Sequence, residues 1–350
     1  MKTITVHTSK NYDVIVDSQL LKESGYYLSK IMGPCKAAII SDSIVFPLYG
    51  QSVADSLTAA GYSVYHFVFP AGESQKNSET YLKILNFLAE NTFTRSDVLI
   101  ALGGGVTGDM TGFVAATYLR GIPYVQIPTT VLAMVDSSVG GKTAIDLPSG
   151  KNLVGAFYQP SLVLCDPEVL QTLPENILSD GCAEIIKYAV LYDPQMFLHL
   201  EETGFHFDRE YVIARCIELK RDVVQEDEFD RGDRQKLNLG HTIGHGIEAQ
   251  SNFTVSHGQA VAIGMAIISK AAAAYNICSM DVYQKICKLL EIFRLPNSTN
   301  YTSLQLYTSA LSDKKRLGDS INLIVPTKIG HCIIRTTPLT EVQSFIEAGL

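Results

Sequence analysis

The sequence predicts an α/β fold in two parts, a Rossmann-like nucleotide-binding half and a mainly α-helical half. Apolar runs alternate with helical segments in the first part, and helical periodicity prevails after about residue 170. A glycine-rich stretch directly after one of the apolar runs is the third observation. Strands that alternate with helices form a parallel sheet covered on both faces, and its ligands bind beyond the carboxyl ends of the strands.

Length and composition agree with two domains. A chain of 350 residues is long for one domain, and we expect residues 1–170 and residues 171–350 to form separate ones. Apolar residues make up 46% of the chain and charged residues 18%, which favours packed cores over disorder. The formal net charge of −8 argues against nucleic acid as the main partner. Basic residues that converge locally can still bind a small anion.

The cysteines and the chain start indicate the compartment. Seven cysteines are scattered without a CxxC pair, mostly in apolar runs such as Leu162–Cys165, which is typical of buried thiols in a reducing compartment. The chain starts with a strand-like alternation rather than the apolar core of a signal peptide, and no apolar run is long enough to span a bilayer. We therefore expect a cytoplasmic protein without a membrane partner.

The order of the elements follows from the apolar pattern. We expect an opening strand pair in the first 20 residues and a late strand pair within residues 321–334. Further strands are predicted at 37–40, 64–69, 98–102 and 124–128, and helices at 53–60, 81–90, from the glycine-rich stretch to about 118, and at 179–192, 208–225, 242–250, 257–275 and 280–293.

The glycine-rich stretch covers residues 103–109, between a predicted strand and a predicted helix. Glycines in such a turn let backbone amides approach a phosphate and direct a helix N-terminus at it. A tight turn without a ligand is the alternative, since this stretch does not follow the first strand as the dinucleotide fingerprint does. Asp42, at the end of an earlier strand, can either hold the hydroxyl pair of a ribose or cap the next helix.

A second polar stretch follows the strand at 124–128. It combines Asp136, Lys142 and Lys151 with several small residues and few other charges. Lysines in such surroundings predict a binding surface for a polar anion. An ordinary solvated loop is the alternative.

Three of the eight histidines lie close together in the second half, namely His241, His245 and His257. Imidazoles and a carboxylate are the ligands of a catalytic zinc site, which keeps three protein ligands and one open position. His241 and His245 stand four apart on a predicted helix, so they share a face and can chelate one ion. Histidines on a helix surface or hydrogen-bonded in the core are the alternative. The carboxylate is not fixed by this segment and can be Glu248 or an acid on another helix.

Glu184 and Lys187 stand three apart on one face of an apolar helix. Burying both charges is costly unless they pair or bind something, and a surface salt bridge is the alternative. A nucleotide-binding half, a His/Glu metal site and nearby lysines together indicate metal-assisted oxidation of a phosphorylated polyol, in which a nicotinamide takes the hydride. The residues alone lead no further.

Six blocks, in this order, carry a resemblance to a known family. They are GGGVTGD at 103–109, IPTT at 127–130, DSSVGGKT at 136–143, GKNLVGAF at 150–157, AEIIK at 183–187 and NLGHTIGH at 238–245. From about residue 36 to about residue 330 the chain resembles the 3-dehydroquinate synthase family, which belongs to the sugar phosphate cyclases. The resemblance implies the same two-domain fold.

The resemblance also implies an activity. Members convert 3-deoxy-D-arabino-heptulosonate 7-phosphate to 3-dehydroquinate and phosphate in the shikimate pathway, which leads to chorismate and the aromatic amino acids. They use NAD+ and a divalent metal, usually Zn2+, with Co2+ as the other candidate. A ring hydroxyl is oxidised, phosphate is eliminated, the hydride returns, and the ring opens and recloses by an aldol step, so NAD+ is regenerated in each turnover.

Residue by residue, the resemblance assigns the metal to Glu184, His241 and His257, in place of the helical pair His241 and His245. His245 then belongs to the substrate pocket, near the phosphate and the proton transfers, and Glu248 is not a ligand. The same resemblance places catalytic residues at Asp136, Lys142, Lys187, Asn238 and His245, and substrate contacts at Arg120, Lys142, Asn152, Lys220, Arg234 and one of Lys314 and Lys315.

Within that substrate set, Arg234 and Lys220 would hold the carboxylate, and Lys142 and Asn152 the phosphate. Arg120 would reach the phosphate in a neighbouring subunit, which implies a homodimer. The implied NAD contacts are Asp42, Glu73, Lys76, Gly104, Gly105, Val106, Asp109, Thr129, Thr130, Lys151 and Asn152. The chain departs from the family pattern at Met134, Ala144 and Asp146, where Gln, Gly and Asn are more usual; these positions bear on the fine structure of the pocket.

Three rival functions remain open from the sequence. A related cyclase such as 2-deoxy-scyllo-inosose synthase acts on a substrate without the carboxylate, which Arg234 and Lys220 argue against. A metal-dependent polyol dehydrogenase would accumulate NADH. A binding or scaffold protein without catalysis would have lost site residues, and no motif position is lost here.

Overall fold

The computed structural model describes residues 1–251, 254–311, 316–317 and 319–350. Contacts divide the chain into two compact units. The first comprises Met1–Leu173 and Arg209–Phe229, and the second comprises Pro174–Asp208 and Asp230–Leu350.

The strands follow the apolar runs closely. In the first unit they are β1 (Lys2–Val6), β2 (Tyr12–Val16), β3 (Lys36–Asp42), β4 (Ser63–Phe69), β5 (Val98–Gly103), β6 (Tyr124–Pro128), β7 (Lys142–Leu147), β8 (Gly150–Phe157) and β9 (Leu162–Cys165). Seven of them form one sheet in the order β1-β2-β9-β6-β5-β3-β4. The opening pair is antiparallel and the other neighbours are parallel, which confirms the predicted parallel sheet.

The helices also begin and end near their predicted limits. They are α1 (Ser24–Ser29), α2 (Gln51–Ala59), α3 (Ser78–Glu90), α4 (Gly105–Thr117), α5 (Glu175–Tyr192), α6 (Pro194–Thr203), α7 (Arg209–Glu226), α8 (His241–Gln250), α9 (His257–Ala274), α10 (Met280–Ile292), α11 (Ser303–Leu311) and α12 (Leu339–Gly349). Short 3₁₀ and π turns connect several of them.

The core of the first unit lies against the sheet. Every residue of β5 is buried, so the strand shows no inside–outside alternation and is covered on both faces. Met110 and Val114 of α4 pack in the same cluster as Leu99 of β5 and Ile84 of α3. This packing fixes the start of α4, and with it the glycine-rich turn, at the carboxyl end of β5.

β7 and β8 form a separate antiparallel hairpin. From the sequence, these residues are expected to form a polar binding surface or a solvated loop, and no strand is predicted here. The reason is local: most of β8 is exposed, so its sequence lacks the apolar alternation that marks a half-buried strand.

The second unit is mainly helical, as predicted, with a small sheet. α9 is buried around most of its circumference, and a reciprocal capping pair of Ser256 and Gln259 closes its N-terminus. β10 (Arg316–Leu317), β11 (Ser320–Lys328) and β12 (His331–Pro338) form an antiparallel sheet, which confirms the late strand pair.

α7 belongs to the first unit, although residues 171–350 were all expected to form the helical half. Its contacts lie in the first unit. Lys2 of β1 pairs with Glu218 at 2.7 Å, and Glu228, just after α7, accepts a hydrogen bond from the backbone N–H of Ser9 at 2.9 Å. Helical periodicity identifies a buried face but not the surface that covers it.

All seven cysteines lie in the described part of the chain, and five of them are buried. Burial raises the pKa of Cys332 to about 12 and that of Cys35 to about 11, so both thiols stay protonated at neutral pH.

Among the described helices, none combines the length and the apolar composition that crossing a membrane requires.

Candidate functional site

Three helices of the second unit bring Glu184, His241 and His257 together. α5 contributes Glu184, which is fully buried, and α8 and α9 each begin with one of the histidines. Glu184 Oε1 lies 3.4 Å from Nε2 of His241 and 3.4 Å from Nε2 of His257. One carboxylate and two imidazoles, with ligand atoms within 4.8 Å of one another, match the donor set of a catalytic zinc site.

The ring of His241 is oriented by the backbone. Its Nδ1 lies 3.1 Å from the carbonyl oxygen of Leu239, which can only accept, so Nδ1 carries the proton and Nε2 faces Glu184. Gly240 has a φ of 79°, and a Cβ there would lie 2.5 Å from the carbonyl oxygen of Val261. Only glycine lets α8 start this close to α9. Burial lowers the pKa of His241 well below its ordinary value, although Glu184 opposes this, so the ring is neutral as a metal ligand must be.

His257 lies between two carboxylates. Its Nε2 faces Glu184, and its Nδ1 lies 3.3 Å from Oε2 of Glu248. Burial disfavours a charged ring, but hydrogen bonds to Glu184 and Glu248 outweigh it and raise the pKa of His257 to about 10. Without a metal the two carboxylates therefore keep a proton on the ring, and a cation bound at Nε2 would replace that proton beside Glu184.

Glu184 and Lys187 form a buried ion pair on α5. The surface salt bridge considered from the sequence is therefore excluded. The Lys187 ammonium also lies 5.0 Å from the centre of the Tyr188 ring. A buried charge pair of this kind is strongly destabilised when one partner is removed.

His245 and Glu248 lie on the same helix as His241. The His245 side chain is exposed, and its ring stands perpendicular to that of His241 at 5.5 Å between centroids. A second group that could hold a metal, found in the described residues, comprises His245, Glu248 and His257. It shares His257 with the first group, and its Glu248 lies on the Nδ1 side of that ring.

In the first unit, the implied NAD contacts gather at the carboxyl ends of adjacent strands. Asp42 ends β3, Gly104 follows β5, and Thr129 follows β6. The backbone N–H of Thr129 donates to the carbonyl oxygen of Gly103 at 3.0 Å. A Cβ on Gly104 would lie 3.1 Å from Cγ2 of Thr130, so a larger residue would crowd this turn. Gly105 and Val106 form the first turn of α4, where free backbone N–H groups favour an anion.

The Asp42 carboxylate contacts the backbone just after β3 rather than the N-terminus of α2, which has no side-chain cap. Its Oδ1 accepts the backbone N–H groups of Ile44 and Val45 at 2.8 and 2.9 Å. This carboxylate therefore orders the turn after β3, at the carboxyl end of a parallel strand, where sheets of this kind bind their ligands.

Lys76 is the centre of a second group of implied NAD contacts. Its buried ammonium donates to Asp109 at 2.7 Å and to Oδ1 of Asn152 at 2.5 Å. Burial opposes this charge, but Asp109 and Glu73 raise the pKa of Lys76, so it remains a cation. Lys151 lies 3.6 Å from Glu73 at the edge of the same group.

The other implied substrate residues of the first unit are Asp136, Lys142, Lys220 and Arg120. Lys220, on α7, is buried and pairs with Asp136 at 2.8 Å, a contact that the sequence analysis did not predict. Lys142 is exposed at the start of β7. Arg120 is exposed and has a left-handed φ of 67°.

In the second unit, Arg234 is buried and Asn238 donates to the carbonyl oxygen of Gln235 at 3.0 Å. Lys314 and Lys315 lie outside the described residues.

Two acids that have no role predicted from the sequence, Asp146 and Asp180, contact residues in or beside the candidate site. Asp146 accepts the backbone N–H of Asn152 at 2.7 Å and so holds Asn152 at its left-handed φ of 55°. The Asn that is more usual here offers the same oxygen, so this departure preserves the contact. Asp180 contacts the start of α9. Its spacing of four from Glu184 was the available signal.

Solved structures identify the class of protein. A structure of 2-deoxy-scyllo-inosose synthase complexed with carbaglucose-6-phosphate, NAD+ and Co2+ has a TM-score of 0.89 and 25% identity, with 100% of both chains covered. A structure of 2-epi-5-epi-valiolone synthase from Streptomyces hygroscopicus, with NAD+ and Zn2+ bound, has a TM-score of 0.89 and 26% identity, with 98% of both chains covered. The fold is that of the sugar phosphate cyclases.

Sequence comparisons narrow the class to one family. The profile described as "3-dehydroquinate synthase N-terminal" matches residues 66–180, and the profile described as "3-dehydroquinate synthase C-terminal" matches residues 181–316. A 3-dehydroquinate synthase of Streptococcus suis is 42% identical over 343 residues, covering 96% of this chain and 97% of that relative. The chain belongs to the 3-dehydroquinate synthase family, whose members are lyase-type cyclases, and the resemblance drawn from the six blocks is confirmed.

Proposed function

We propose that this enzyme converts 3-deoxy-D-arabino-heptulosonate 7-phosphate to 3-dehydroquinate and phosphate, with bound NAD+ and a divalent metal, Zn2+ in preference to Co2+. The observation that carries the proposal is the convergence of Glu184, His241 and His257 in a chain of this family. The two neighbouring cyclase structures bind NAD+ with Co2+ or Zn2+, which supports both cofactors here.

Glu184, His241 and His257 would hold the metal. The donor set fits, because one buried carboxylate faces Nε2 of both imidazoles at 3.4 Å. When bound, the metal would polarise substrate oxygens and the nicotinamide would carry a hydride. Lys187 keeps a positive charge beside Glu184 and so limits the negative charge that the carboxylate brings into the core.

The first unit would hold NAD+. Asp42 would accept from the ribose hydroxyls, and Gly104, Gly105, Val106, Thr129 and Thr130 would place backbone amides and hydroxyls along the pyrophosphate. Lys76, held between Asp109 and Asn152, supplies a fixed positive charge in this region. Glu73 and Lys151, which lie 3.6 Å apart, would contact NAD+ at the edge of this region.

The remaining residues would bind the substrate and move protons. Arg234 and Lys220 would bind the carboxylate, and Lys142 and Asn152 the phosphate, since ammonium and guanidinium groups suit both anions. His245 has an exposed imidazole and would transfer protons at its ring nitrogens, while Asp136, Lys187 and Asn238 would orient the reacting groups. One of Lys314 and Lys315 would complete the substrate contacts.

A homodimer would complete the site. Arg120 is exposed in the short 3₁₀ turn that follows α4, which suits a side chain whose phosphate partner lies in another copy of the chain. The proposed assembly has two such sites related by a twofold axis.

An activity assay tests the proposed reaction. Purified enzyme is given 3-deoxy-D-arabino-heptulosonate 7-phosphate and NAD+, and inorganic phosphate, 3-dehydroquinate and NADH are followed together, with and without a chelator. We expect phosphate and dehydroquinate in equal amounts, no net NADH, loss of activity with chelator, and recovery with Zn2+.

Two outcomes would replace this function by another. Phosphate release from the carboxylate-free substrate of 2-deoxy-scyllo-inosose synthase, without turnover of the heptulosonate, would make the enzyme that related cyclase. Net accumulation of NADH with a polyol would make it a dehydrogenase of the same fold.

A further inference from the structure

Two acids outside the proposed metal set hold the helix and the ring that present His257. Glu248, on α8, faces Nδ1 of His257 at 3.3 Å. Asp180, on α5, contacts the residues on either side of His257. The contact of Glu248 is with Nδ1, whereas Nε2 is the ring nitrogen that lies next to Glu184.

Asp180 ties the start of α9 to the helix that carries Glu184. Its Oδ1 accepts the backbone N–H of Gln259 at 3.1 Å and the hydroxyl of Ser256. A Cβ on Gly258 would lie 1.9 Å from the backbone oxygen of Asp180, so the two helices touch backbone to backbone. Because Asp180 and Glu184 stand one turn apart on α5, the same rigid helix sets the position of both the carboxylate ligand and His257.

The carboxylate of Asp180 also suits the end of α9 electrostatically. α9 has 18 residues, and an acid at its N-terminus accepts free backbone N–H groups and interacts favourably with the helix dipole. The capping pair of Ser256 and Gln259 already satisfies part of this helix end. Asp180 therefore adds an attachment to α5 that the local cap does not supply.

Glu248 acts on the ring rather than on the helix. Its oxygen lies on the Nδ1 side of His257, across the ring from Glu184 Oε1 at Nε2. An ion shared by Glu184 and Nε2 is therefore on the side of the imidazole away from this contact. A carboxylate that accepts the second ring N–H of a histidine fixes its tautomer and its rotation.

We propose that Asp180 and Glu248 are positioning residues of the metal centre: Asp180 fixes where α9 begins relative to Glu184, and Glu248 fixes the rotation of the His257 ring. The proposal rests on the metal set assigned under the proposed function. Its consequence is that the ligands are arranged before the metal arrives, so both acids raise metal affinity without touching the ion.

Metal binding tests the proposal without reference to activity. Cobalt affinity is measured by competition with a chelating dye for the full-length protein and the variants Asp180→Ala, Glu248→Ala, Glu248→Gln and Glu184→Gln. The visible spectrum is recorded at saturating cobalt. We expect Asp180→Ala and Glu248→Ala to bind about 10- to 100-fold more weakly, as is usual when a partner of a metal ligand is lost. Glu248→Gln keeps an oxygen that accepts from Nδ1–H, so it should lose less.

A matched control separates positioning from general loss of stability. Asp193 caps α6 by accepting the backbone N–H groups of Gln195 and Met196 at 3.0 and 2.9 Å. It stands nine residues after Glu184, about 14 Å along α5. Asp193→Ala should lower the unfolding temperature much as Asp180→Ala does, because each removes a carboxylate that accepts two hydrogen bonds at a helix N-terminus. Only Asp180→Ala should weaken cobalt binding and alter its spectrum.

The possible results test the positioning roles of Asp180 and Glu248 separately from the metal set itself. If Glu184→Gln loses cobalt while Asp180→Ala and Glu248→Ala bind it as tightly as the unchanged protein, the positioning roles are wrong and the metal set stands. If Glu248→Gln loses cobalt as completely as Glu184→Gln, Glu248 is a ligand and its positioning role is wrong. If Glu184→Gln retains cobalt, the metal set itself is wrong, and the positioning roles are then wrong as well.

Discussion

A His257→Ala variant is expected to be purified without its metal and without activity, whereas His245→Ala is expected to keep the metal and lose turnover. Nε2 of His257 lies next to Glu184, but the exposed ring of His245 has no place in that group. A bound metal contributes several kcal/mol of charge stabilisation, so its loss should reduce turnover about 10³-fold or more. Loss of a proton-transfer residue should cost about 10²- to 10⁴-fold.

Metal content by mass spectrometry, together with kcat at saturating Zn2+, separates these two variants. His206→Ala, at an exposed histidine of the second unit, serves as the control and should leave both unchanged. If His245→Ala lost the metal and His257→Ala retained it, the helical pair His241 and His245 would become the ligand pair, as their spacing alone indicates.

Replacing Lys76 by Met should lower both the stability of the protein and its affinity for NAD+. The Lys76 side chain is 5% exposed and neutralises Asp109 at 2.7 Å. Its removal leaves a carboxylate largely buried without its cation, which costs about 3–5 kcal/mol. It also removes the hydrogen bond to Oδ1 of Asn152, one of the implied contacts to both NAD and phosphate. Denaturant unfolding and calorimetric titration with NAD+ measure the two effects.

Two further variants separate stability from binding. Lys83→Met removes a solvent-exposed partner of Glu79 on the neighbouring α3 and should change neither quantity measurably. Lys76→Met combined with Asp109→Asn removes both charges and should recover part of the stability, while the affinity for NAD+ stays low. If the single variant bound NAD+ normally, Lys76 would have a structural role only.

The parts of the fold that local sequence determines were predicted closely. β5, expected at 98–102, is Val98–Gly103, and α9, expected at 257–275, is His257–Ala274. Continuous apolar runs and helical periodicity report how a segment is buried, and that is a local property. The glycine-rich turn likewise lies between a strand and a helix, as predicted: β5 ends at Gly103 and α4 begins at Gly105.

Features that depend on distant contacts were not predicted. β9 lies between β2 and β6 in the sheet, although it comes last of the three in the chain. α7 has ordinary helical periodicity, and only its contacts with the first strands show which unit it joins. Strand order and helix partners are set by packing between segments far apart in sequence, which periodicity does not encode.

In the candidate site, too, local sequence predicts some features, and contacts between distant segments determine the others. From the sequence, Glu184 stands out as an acid on an apolar helix that is costly to bury unless it pairs or binds something, and the three histidines as possible metal ligands. Spacing puts His241 and His245 on one face, but it says nothing about the packing of α5 against α9 that brings Glu184 and His257 together. The resemblance supplied that assignment, and the roles of Asp180 and Glu248 emerge only from the three-dimensional arrangement.

X-ray diffraction at the cobalt absorption edge, from crystals of the cobalt-loaded enzyme, tests the central claim most directly. The account predicts one anomalous peak about 2.0–2.2 Å from a Glu184 oxygen and from Nε2 of both His241 and His257. A peak bound instead by His245, Glu248 and Nδ1 of His257 would contradict it.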